Sequence, residues 1–230
     1  MAISPSSRGY KDVITARYEF SDREGLAVQL ANDVGNALRA RIATNGMAKL
    51  AVSGGTTPKL FFEKLSRLDI GWSQVTVTLV DDRQVLESSE RSNARLVRSS
   101  LIQDKAAAAR FAPLYNNPEA AKLEPFDAVV LGMGRDGHTA SFFPGGDRLA
   151  EALDPATLQR IVEMRAPTAG EPRLTFTLPV LLAASFIALH IEGWEKRAAL
   201  ETALAGGPIE DMPIRAFFRA KAPITLYWSP

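Results

Sequence analysis

Only two histidines occur in this chain of 230 residues, and one of them stands close to a carboxylate in a glycine-rich segment. The segment reads Gly132-Met133-Gly134-Arg135-Asp136-Gly137-His138-Thr139. An Asp beside a His can hold the imidazole in one tautomer, and such a His can act as a general base near neutral pH. A loop His that caps a helix is the alternative. The position after an apolar run favours catalysis, so His138 and Asp136 are candidate acid–base residues.

A second polar group follows another apolar run. Asp81-Asp82-Arg83 places two carboxylates and a guanidinium where a strand is predicted to end. A strand that ends in polar residues is ordinary, so this group gains weight only beside His138. The other histidine, His190, lies within an apolar run, and a place in the core or at a sheet edge is favoured for it.

The segment Ser53-Gly54-Gly55-Thr56-Thr57-Pro58 has the composition of a phosphate cradle. Glycines let backbone N–H groups approach an anion, hydroxyls add donors, and a following helix N-terminus adds partial positive charge. Thr57 and Pro58 are predicted as the N-cap and first residue of that helix. The segment lacks the Gly-Lys-Ser/Thr ending of a nucleoside triphosphate loop. A plain strand-to-helix turn remains an equal alternative.

The spacing Gly132-x-Gly134-x-x-Gly137 matches a dinucleotide-binding fingerprint, but its context does not. That fingerprint requires a crossover helix after the third glycine, and Pro144-Gly145-Gly146 would break such a helix. No acidic residue closes a strand about 20 residues further on. We therefore do not expect a dinucleotide.

Composition excludes several classes of protein. The chain has no cysteine, which excludes disulfides, a thiol nucleophile and thiolate metal sites. Its net charge of +1 gives no reason to expect nucleic acid. Residues 1–8 do not resemble a signal peptide, and the longest apolar stretch, 178–191, is too short and too interrupted to cross a membrane. We expect a cytoplasmic protein without membrane or nucleic-acid partners.

Short apolar runs alternate with amphipathic ones along the chain. Strands are predicted at 49–53, 75–80, 126–131, 160–164, 185–191 and 224–228. Helices are predicted after a capping box formed by Ser21 and Glu24, after Pro58, from Ser92 to Leu101, and from Trp194 to Leu204. This alternation is typical of a mostly parallel sheet covered by helices on both faces. We predict one α/β domain over residues 1–230, with ligands bound beyond the carboxyl ends of the strands.

Over roughly residues 10–228, these segments resemble, in order, the 6-phosphogluconolactonase family. The motifs that carry the resemblance are 53–58, 80–83, Ser92-Asn93, 131–145, Pro172-Arg173-Leu174-Thr175 and the region of Lys196. The resemblance implies a Rossmann-like α/β/α sandwich, shared with glucosamine-6-phosphate deaminase, that binds no dinucleotide. It also implies hydrolysis of 6-phospho-D-glucono-1,5-lactone in the oxidative pentose phosphate pathway, without a metal or organic cofactor. We expect a monomer or weak homo-oligomer.

The resemblance also implies roles for individual residues. His138 is expected to activate water for attack on the lactone carbonyl, with Asp136 as its orienting partner. Arg83 is expected near the carbonyl or the developing oxyanion. Ser53 and the 54–57 loop, with Arg173 and Lys196, are expected to hold the phosphate. Without the resemblance, Arg173 and Lys196 would be taken for solvated surface charges.

Two positions distinguish this chain within that resemblance. The family has Asp-Glu-Arg where this chain has Asp81-Asp82-Arg83, so the middle carboxylate is one methylene shorter and only Asp81 and Arg83 are kept as site residues. The deaminase carries a Glu where this chain has Phe143, and an apolar ring cannot relay a proton. A deaminase-like isomerase is therefore disfavoured. A binding module without catalysis is disfavoured by His138, Asp136 and Arg83, which binding alone does not need.

Overall fold

The structure is a computed structural model that describes residues 14–123, 125–220 and 222–230. The stretch 1–8, predicted not to be a signal peptide, lies outside the described residues. The strands are β1 (Ile14–Glu19), β2 (Ala48–Val52), β3 (Val75–Leu79), β4 (Asp81–Arg83), β5 (Arg110–Phe111), β6 (Ala128–Leu131), β7 (Ile161–Met164), β8 (Arg173–Phe176), β9 (Phe186–Glu192) and β10 (Ile224–Ser229). The α-helices are α1 (Arg23–Asn45), α2 (Lys59–Ser66), α3 (Asn93–Ser100), α4 (Leu149–Leu153), α5 (Leu178–Leu182), α6 (Trp194–Leu204) and α7 (Arg215–Arg219).

Seven strands form one parallel sheet in the order β1-β10-β9-β6-β2-β3-β5. Leu50, Ala51 and Val52 are consecutive in β2 and all fully buried. Because consecutive side chains of a strand point to opposite faces, the centre of the sheet is covered on both faces. The predicted α/β/α sandwich with a mostly parallel sheet is therefore confirmed.

A second sheet of three antiparallel strands has the order β4-β8-β7. The strand predicted at 160–164 is confirmed as β7, but it pairs antiparallel with β8 in this second sheet and not in the parallel one. The β4–β8 ladder places Arg83 directly opposite Arg173 and Asp81 opposite Thr175. The small sheet thus brings two predicted site segments, which lie far apart along the chain, onto one surface.

Two predicted helix caps differ from the observed ones. The side chain of Asp22, and not that of Ser21, accepts a hydrogen bond from Gly25 N at 2.8 Å, so the predicted capping box is wrong. The helix after the glycine-rich segment begins at Lys59, with Pro58 in the cap position and no side-chain cap from Thr57. The N-cap at Ser92 is confirmed, since its hydroxyl accepts from Arg95 N at 3.2 Å.

A single cluster of buried apolar side chains runs through the described residues. It includes large, fully buried aromatic rings such as Phe61, Phe126, Phe176 and Phe217. None of the helices in the described ranges is long and apolar enough to cross a membrane.

Candidate active site

A cleft of about 410 Å³ lies at the carboxyl ends of the central strands. The chain runs from β2 to β3 on one side of the sheet and from β6 to β9 on the other, so the strand order reverses between β2 and β6. Ligands of open parallel sheets bind at such a reversal. Ser53, which follows β2, and Gly132, which follows β6, meet there: the Ser53 hydroxyl accepts a hydrogen bond from Gly132 N at 2.9 Å.

Nearly every predicted site residue lines this cleft. They are Ser53, Gly54, Gly55, Thr56, Thr57, Asp81, Arg83, His138, Arg173 and Lys196. Asp136 is not part of the lining, but it contacts His138 directly. The segments identified separately along the chain therefore converge on one site.

His138 and Asp136 form a hydrogen-bonded pair. Nδ1 of the His138 ring lies 2.6 Å from Oδ1 of Asp136, which also accepts from His138 N at 3.2 Å. Burial opposes ionisation of Asp136, but the hydrogen bonds and the charge of His138 outweigh it and hold the pKa of Asp136 below its usual range. A carboxylate on Nδ1 leaves Nε2 as the basic nitrogen of the ring.

Two glycines give the His138 loop its shape. A Cβ on Gly134 would lie 2.2 Å from Nδ1 and Cε1 of the His138 ring and 2.6 Å from Asp136 Oδ1. Gly137 has φ +74°, and a Cβ there would lie 2.7 Å from Cβ of Met212. The glycine spacing that resembles a dinucleotide fingerprint therefore serves to fold the loop around the His138–Asp136 pair.

Phe143 contacts both the histidine and one of the arginines. Its ring stacks on the His138 ring with centroids 4.3 Å apart and an interplanar angle of 27°. The guanidinium of Arg173 lies 5.1 Å from the centroid of the same Phe143 ring. Phe143 is buried, so this contact restricts the orientation of the imidazole.

The glycine-rich segment after β2 forms the opposite part of the cleft. Lys196, in the first turn of α6, donates from Nζ to the Thr57 hydroxyl at 3.2 Å. Burial lowers the pKa of Lys196, Glu192 opposes this, and the charge of Arg135 adds to the lowering. Gly55 has φ +90° and is exposed, a conformation that favours glycine. A cation and backbone N–H groups therefore share this end of the cleft.

Arg83 and Arg173 bring two guanidinium groups to the small sheet. Burial, followed by the charges of Arg173 and Arg91, lowers the pKa of Arg83. In the described part of the chain, the Nε atoms of Arg83 and Arg173 are buried without a hydrogen-bond partner. Each Arg donates one bond to a carbonyl, Arg83 to Arg91 O at 2.7 Å and Arg173 to Ala169 O at 2.9 Å. Two repelling, partly unsatisfied cations favour the entry of an anion.

Asp81 and Asp82 have different partners although they are adjacent. Asp81 Oδ2 accepts from the Ser141 hydroxyl at 2.6 Å and lies 3.6 Å from Nη1 of Arg173. Asp82 Oδ1 accepts from Arg83 N at 2.8 Å and from Asn93 N at 3.1 Å. Burial and the neighbouring Asp81 raise the pKa of Asp82 to about 7. The shorter carboxylate at position 82 thus ties β4 to the start of α3.

His190 is buried, as predicted, but it also borders the cleft. Its Nε2 lies 3.0 Å from Oε1 of Glu192, and its ring meets Phe61 edge-on. Burial lowers the pKa of His190, although Glu192 opposes the shift.

Sequence patterns did not single out several side chains of the cleft for a role. Asn93, Arg135, Phe143 and Thr168 line it. The pair Ser92-Asn93 carried a signal only as a helix cap and as part of a family resemblance. Within 14–123, 125–220 and 222–230, no three His, Cys, Asp or Glu side chains group closely enough to hold a metal ion.

This protein is an α/β/α sandwich with a polar cleft where the strand order of its parallel sheet reverses. Proteins of this class bind their ligands in that cleft. Within that class, residues 21–228 match a family model described as glucosamine-6-phosphate isomerases/6-phosphogluconolactonase. The chain belongs to this family.

Individual relatives are similar over most of their length. A protein named 6-phosphogluconolactonase from Rhizobium meliloti is 52% identical over 225 residues, which cover 92% of this chain and 97% of that protein. A protein of the same name from Mesorhizobium japonicum is 52% identical over 227 residues, covering 92% and 94%. The crystal structure of a 6-phosphogluconolactonase from Shewanella baltica superposes with a TM-score of 0.89 at 37% identity, covering 94% and 97%.

Proposed function

We propose that this protein hydrolyses 6-phospho-D-glucono-1,5-lactone to 6-phospho-D-gluconate, the second step of the oxidative pentose phosphate pathway. The observation that carries this function is the convergence of the His138–Asp136 pair and the 53–57 segment with Lys196 in one cleft of about 410 Å³. A base and an anion site in one small cleft suit a substrate with a reactive carbonyl at one end and a phosphate at the other. The names of the relatives support the same reaction.

In the proposed mechanism, Nε2 of His138 takes a proton from a water molecule that attacks C1 of the lactone. Asp136, 2.6 Å from Nδ1, holds the ring in the required tautomer and stabilises the imidazolium that forms. The ring C1–O bond then breaks, and the imidazolium returns the proton to the departing ring oxygen. The products are the carboxylic acid, which ionises at neutral pH, and the free hydroxyl.

Arg83 stabilises the oxyanion that develops on the carbonyl oxygen. Its partly unsatisfied guanidinium is fixed by the bond to Arg91 O, so little reorganisation is needed as charge forms. Asp81 lines the cleft beside Arg173, and we assign it to hold that guanidinium in place.

The phosphate binds to the 54–57 loop, Lys196 and Arg173. Ser53 belongs to the same site: its oxygen accepts from Gly132 N, which ties the loop to the end of β6, and its O–H donates to the phosphate. A dianion held by two cations and backbone N–H groups positions C1 near His138. In this assignment Arg83 and Arg173, neighbours on the small sheet, contact opposite parts of one compact ligand.

Phe143 separates this reaction from that of the deaminase. The ring occupies the position of the deaminase Glu and stacks on His138, where it supplies no proton-transfer group. We further propose that residues 1–230 form a single α/β domain. It is located in the cytoplasm and acts on this small-molecule substrate as a monomer or weak homo-oligomer.

The test supplies purified protein with the phosphogluconolactone and, separately, with glucosamine 6-phosphate. We expect lactone hydrolysis above the spontaneous rate, no ammonia release from the second compound, and a fall in kcat of about two orders of magnitude or more for His138→Ala. Ammonia release without lactone hydrolysis would support the deaminase instead. Tight binding of 6-phosphogluconate without turnover would support a binding module.

A further inference from the structure

Asn93 occupies the part of the cleft between the glycine-rich segment and the small sheet. Its side chain is 5% exposed and belongs to the cleft lining. A Cβ on Gly54 would lie 2.1 Å from Cγ, 2.2 Å from Oδ1 and 2.6 Å from Nδ2 of Asn93. The carboxamide therefore fills the space that a side chain at position 54 would need, and it packs directly against the loop assigned to the phosphate.

The other side of the carboxamide faces the carboxylate-bearing strand β4. Nδ2 of Asn93 donates to Asp81 O at 3.3 Å, and the backbone N of Asn93 donates to Asp82 Oδ1 at 3.1 Å. These contacts fix the residue at the start of α3. An amide has two N–H donors and a carbonyl acceptor, and in the described chain the side chain uses only one donor. One N–H and Oδ1 therefore remain for whatever the cleft holds.

We propose that Asn93 is a binding residue for the hydroxylated sugar ring, with its free N–H and Oδ1 paired to ring hydroxyls. Its position between the phosphate loop and β4, the strand that carries Arg83, corresponds to the part of the substrate between the phosphate and C1. A hydroxyl both donates and accepts, so one donor and one acceptor on a rigid amide match two neighbouring hydroxyls. Because the ligand is the substrate of the proposed function, this role rests on that function.

The test compares two ligands by isothermal titration calorimetry: 6-phosphogluconate, which has the hydroxylated chain, and inorganic phosphate, which lacks it. We expect Asn93→Ala to weaken the binding of 6-phosphogluconate about tenfold, the scale of one or two lost hydrogen bonds. We expect the binding of inorganic phosphate to change less than about twofold. Asn32→Ala, on α1 and outside the cleft lining, is the matched control and should change neither affinity.

A second variant keeps the test informative if Asn93→Ala disturbs the loop. Gly54→Ala should weaken both ligands, because its Cβ collides with the Asn93 carboxamide. Gly54→Ala combined with Asn93→Ala removes that collision, so inorganic phosphate binding should recover while 6-phosphogluconate binding stays weak.

Equal losses for both ligands in Asn93→Ala, or no loss for either, would overturn the role of Asn93 in binding the sugar. Equal losses would make Asn93 a support for the phosphate loop only. Failure of the proposed function has a different signature, because wild-type protein would then show no lactone hydrolysis whatever the calorimetry of its variants.

Discussion

At the scale of single residues, the partners of each carboxylate in the site determine whether it is ionised. Asp136 is kept ionised by its bonds to His138, while Asp82 is buried beside a second carboxylate and tends toward its neutral form. The two aspartates therefore have opposite shifts in pKa. Asp136 is suited to supporting an imidazolium, and Asp82 is suited to joining backbone segments.

Replacing Asp136 with Asn should lower kcat at least about tenfold, because the imidazolium formed during attack loses its charged partner. The His138 ring would also lose the acceptor that fixes its tautomer. Steady-state kinetics on the lactone measure this directly. A kcat equal to that of the wild type would remove Asp136 from the mechanism.

Asp82→Asn should change how stability depends on pH. The folded state raises the pKa of Asp82 from 3.8 to about 7, so between these values the folded protein binds a proton that the unfolded chain does not. Stability contributed by that proton is present below pH 3.8 and is lost as pH rises through 7, at no more than about 1.4 kcal/mol per pH unit.

The amide introduced by Asp82→Asn keeps an oxygen acceptor for Asn93 N and does not ionise, so the stability of the variant should fall less between about pH 5 and pH 7. Urea unfolding across this range measures the slope. Asp69→Asn, at an exposed aspartate, is the control and should keep the wild-type slope. Identical slopes for wild type and Asp82→Asn would contradict the prediction.

At the scale of secondary-structure elements, helix ends and short strands position the site. The long apolar runs of β2, β3, β6, β9 and β10 are predictable from the sequence because burial on both faces requires them. β4 and β8 are only three and four residues long, and among the described strands β4 pairs with β8 alone. That pairing, rather than local pattern, brings Arg83 opposite Arg173.

The residue that caps a helix likewise cannot be predicted from residue type alone. Ser21 and Asp22 are both good N-caps by type, and the backbone decides between them. Asp22→Ala should therefore destabilise the protein by about 1 kcal/mol and lower Tm by about 2–4 °C. Ser21→Ala should leave Tm nearly unchanged, since within the described residues its hydroxyl donates only to the Asp22 carboxylate. Thermal unfolding of both variants checks the assignment, and a larger loss for Ser21→Ala would reverse it.

At the scale of the whole molecule, a net charge of +1 conceals a cationic cleft. Arg83, Arg173 and Lys196 meet only because distant parts of the chain end at one edge of the sheet. Arg83 stands at a predicted strand end, whereas only the family resemblance assigns Arg173 and Lys196 to the site, because local sequence favours surface positions for them. Tertiary packing, which local patterns do not encode, sets the distances between these three cations. It also sets the stacking of Phe143 and the placement of Asn93.

Ligand binding should therefore stabilise the whole fold. With 6-phosphogluconate at about 100 times its Kd, we expect about 2.7 kcal/mol of added stability and a corresponding rise in Tm. Gluconate at the same concentration lacks the phosphate and should give a much smaller rise. Lys196→Ala should reduce the effect of 6-phosphogluconate, as differential scanning fluorimetry would measure. Equal shifts for both ligands would place the recognition outside the phosphate site.

The pairing of Arg83 with Arg173 makes the spacing of these two charges a property of a strand ladder. The connections 84–92 and 165–172 supply Arg91 O and Ala169 O, the carbonyls that hold the two guanidiniums, so residues added there would move those acceptors. A single-residue slip of β8 against β4 would place Leu174 opposite Arg83. The side chain of Arg173 would then point to the other face of the sheet. The charge pattern of the cleft therefore depends on the register of β8 against β4 and on the two loop carbonyls that hold the guanidiniums.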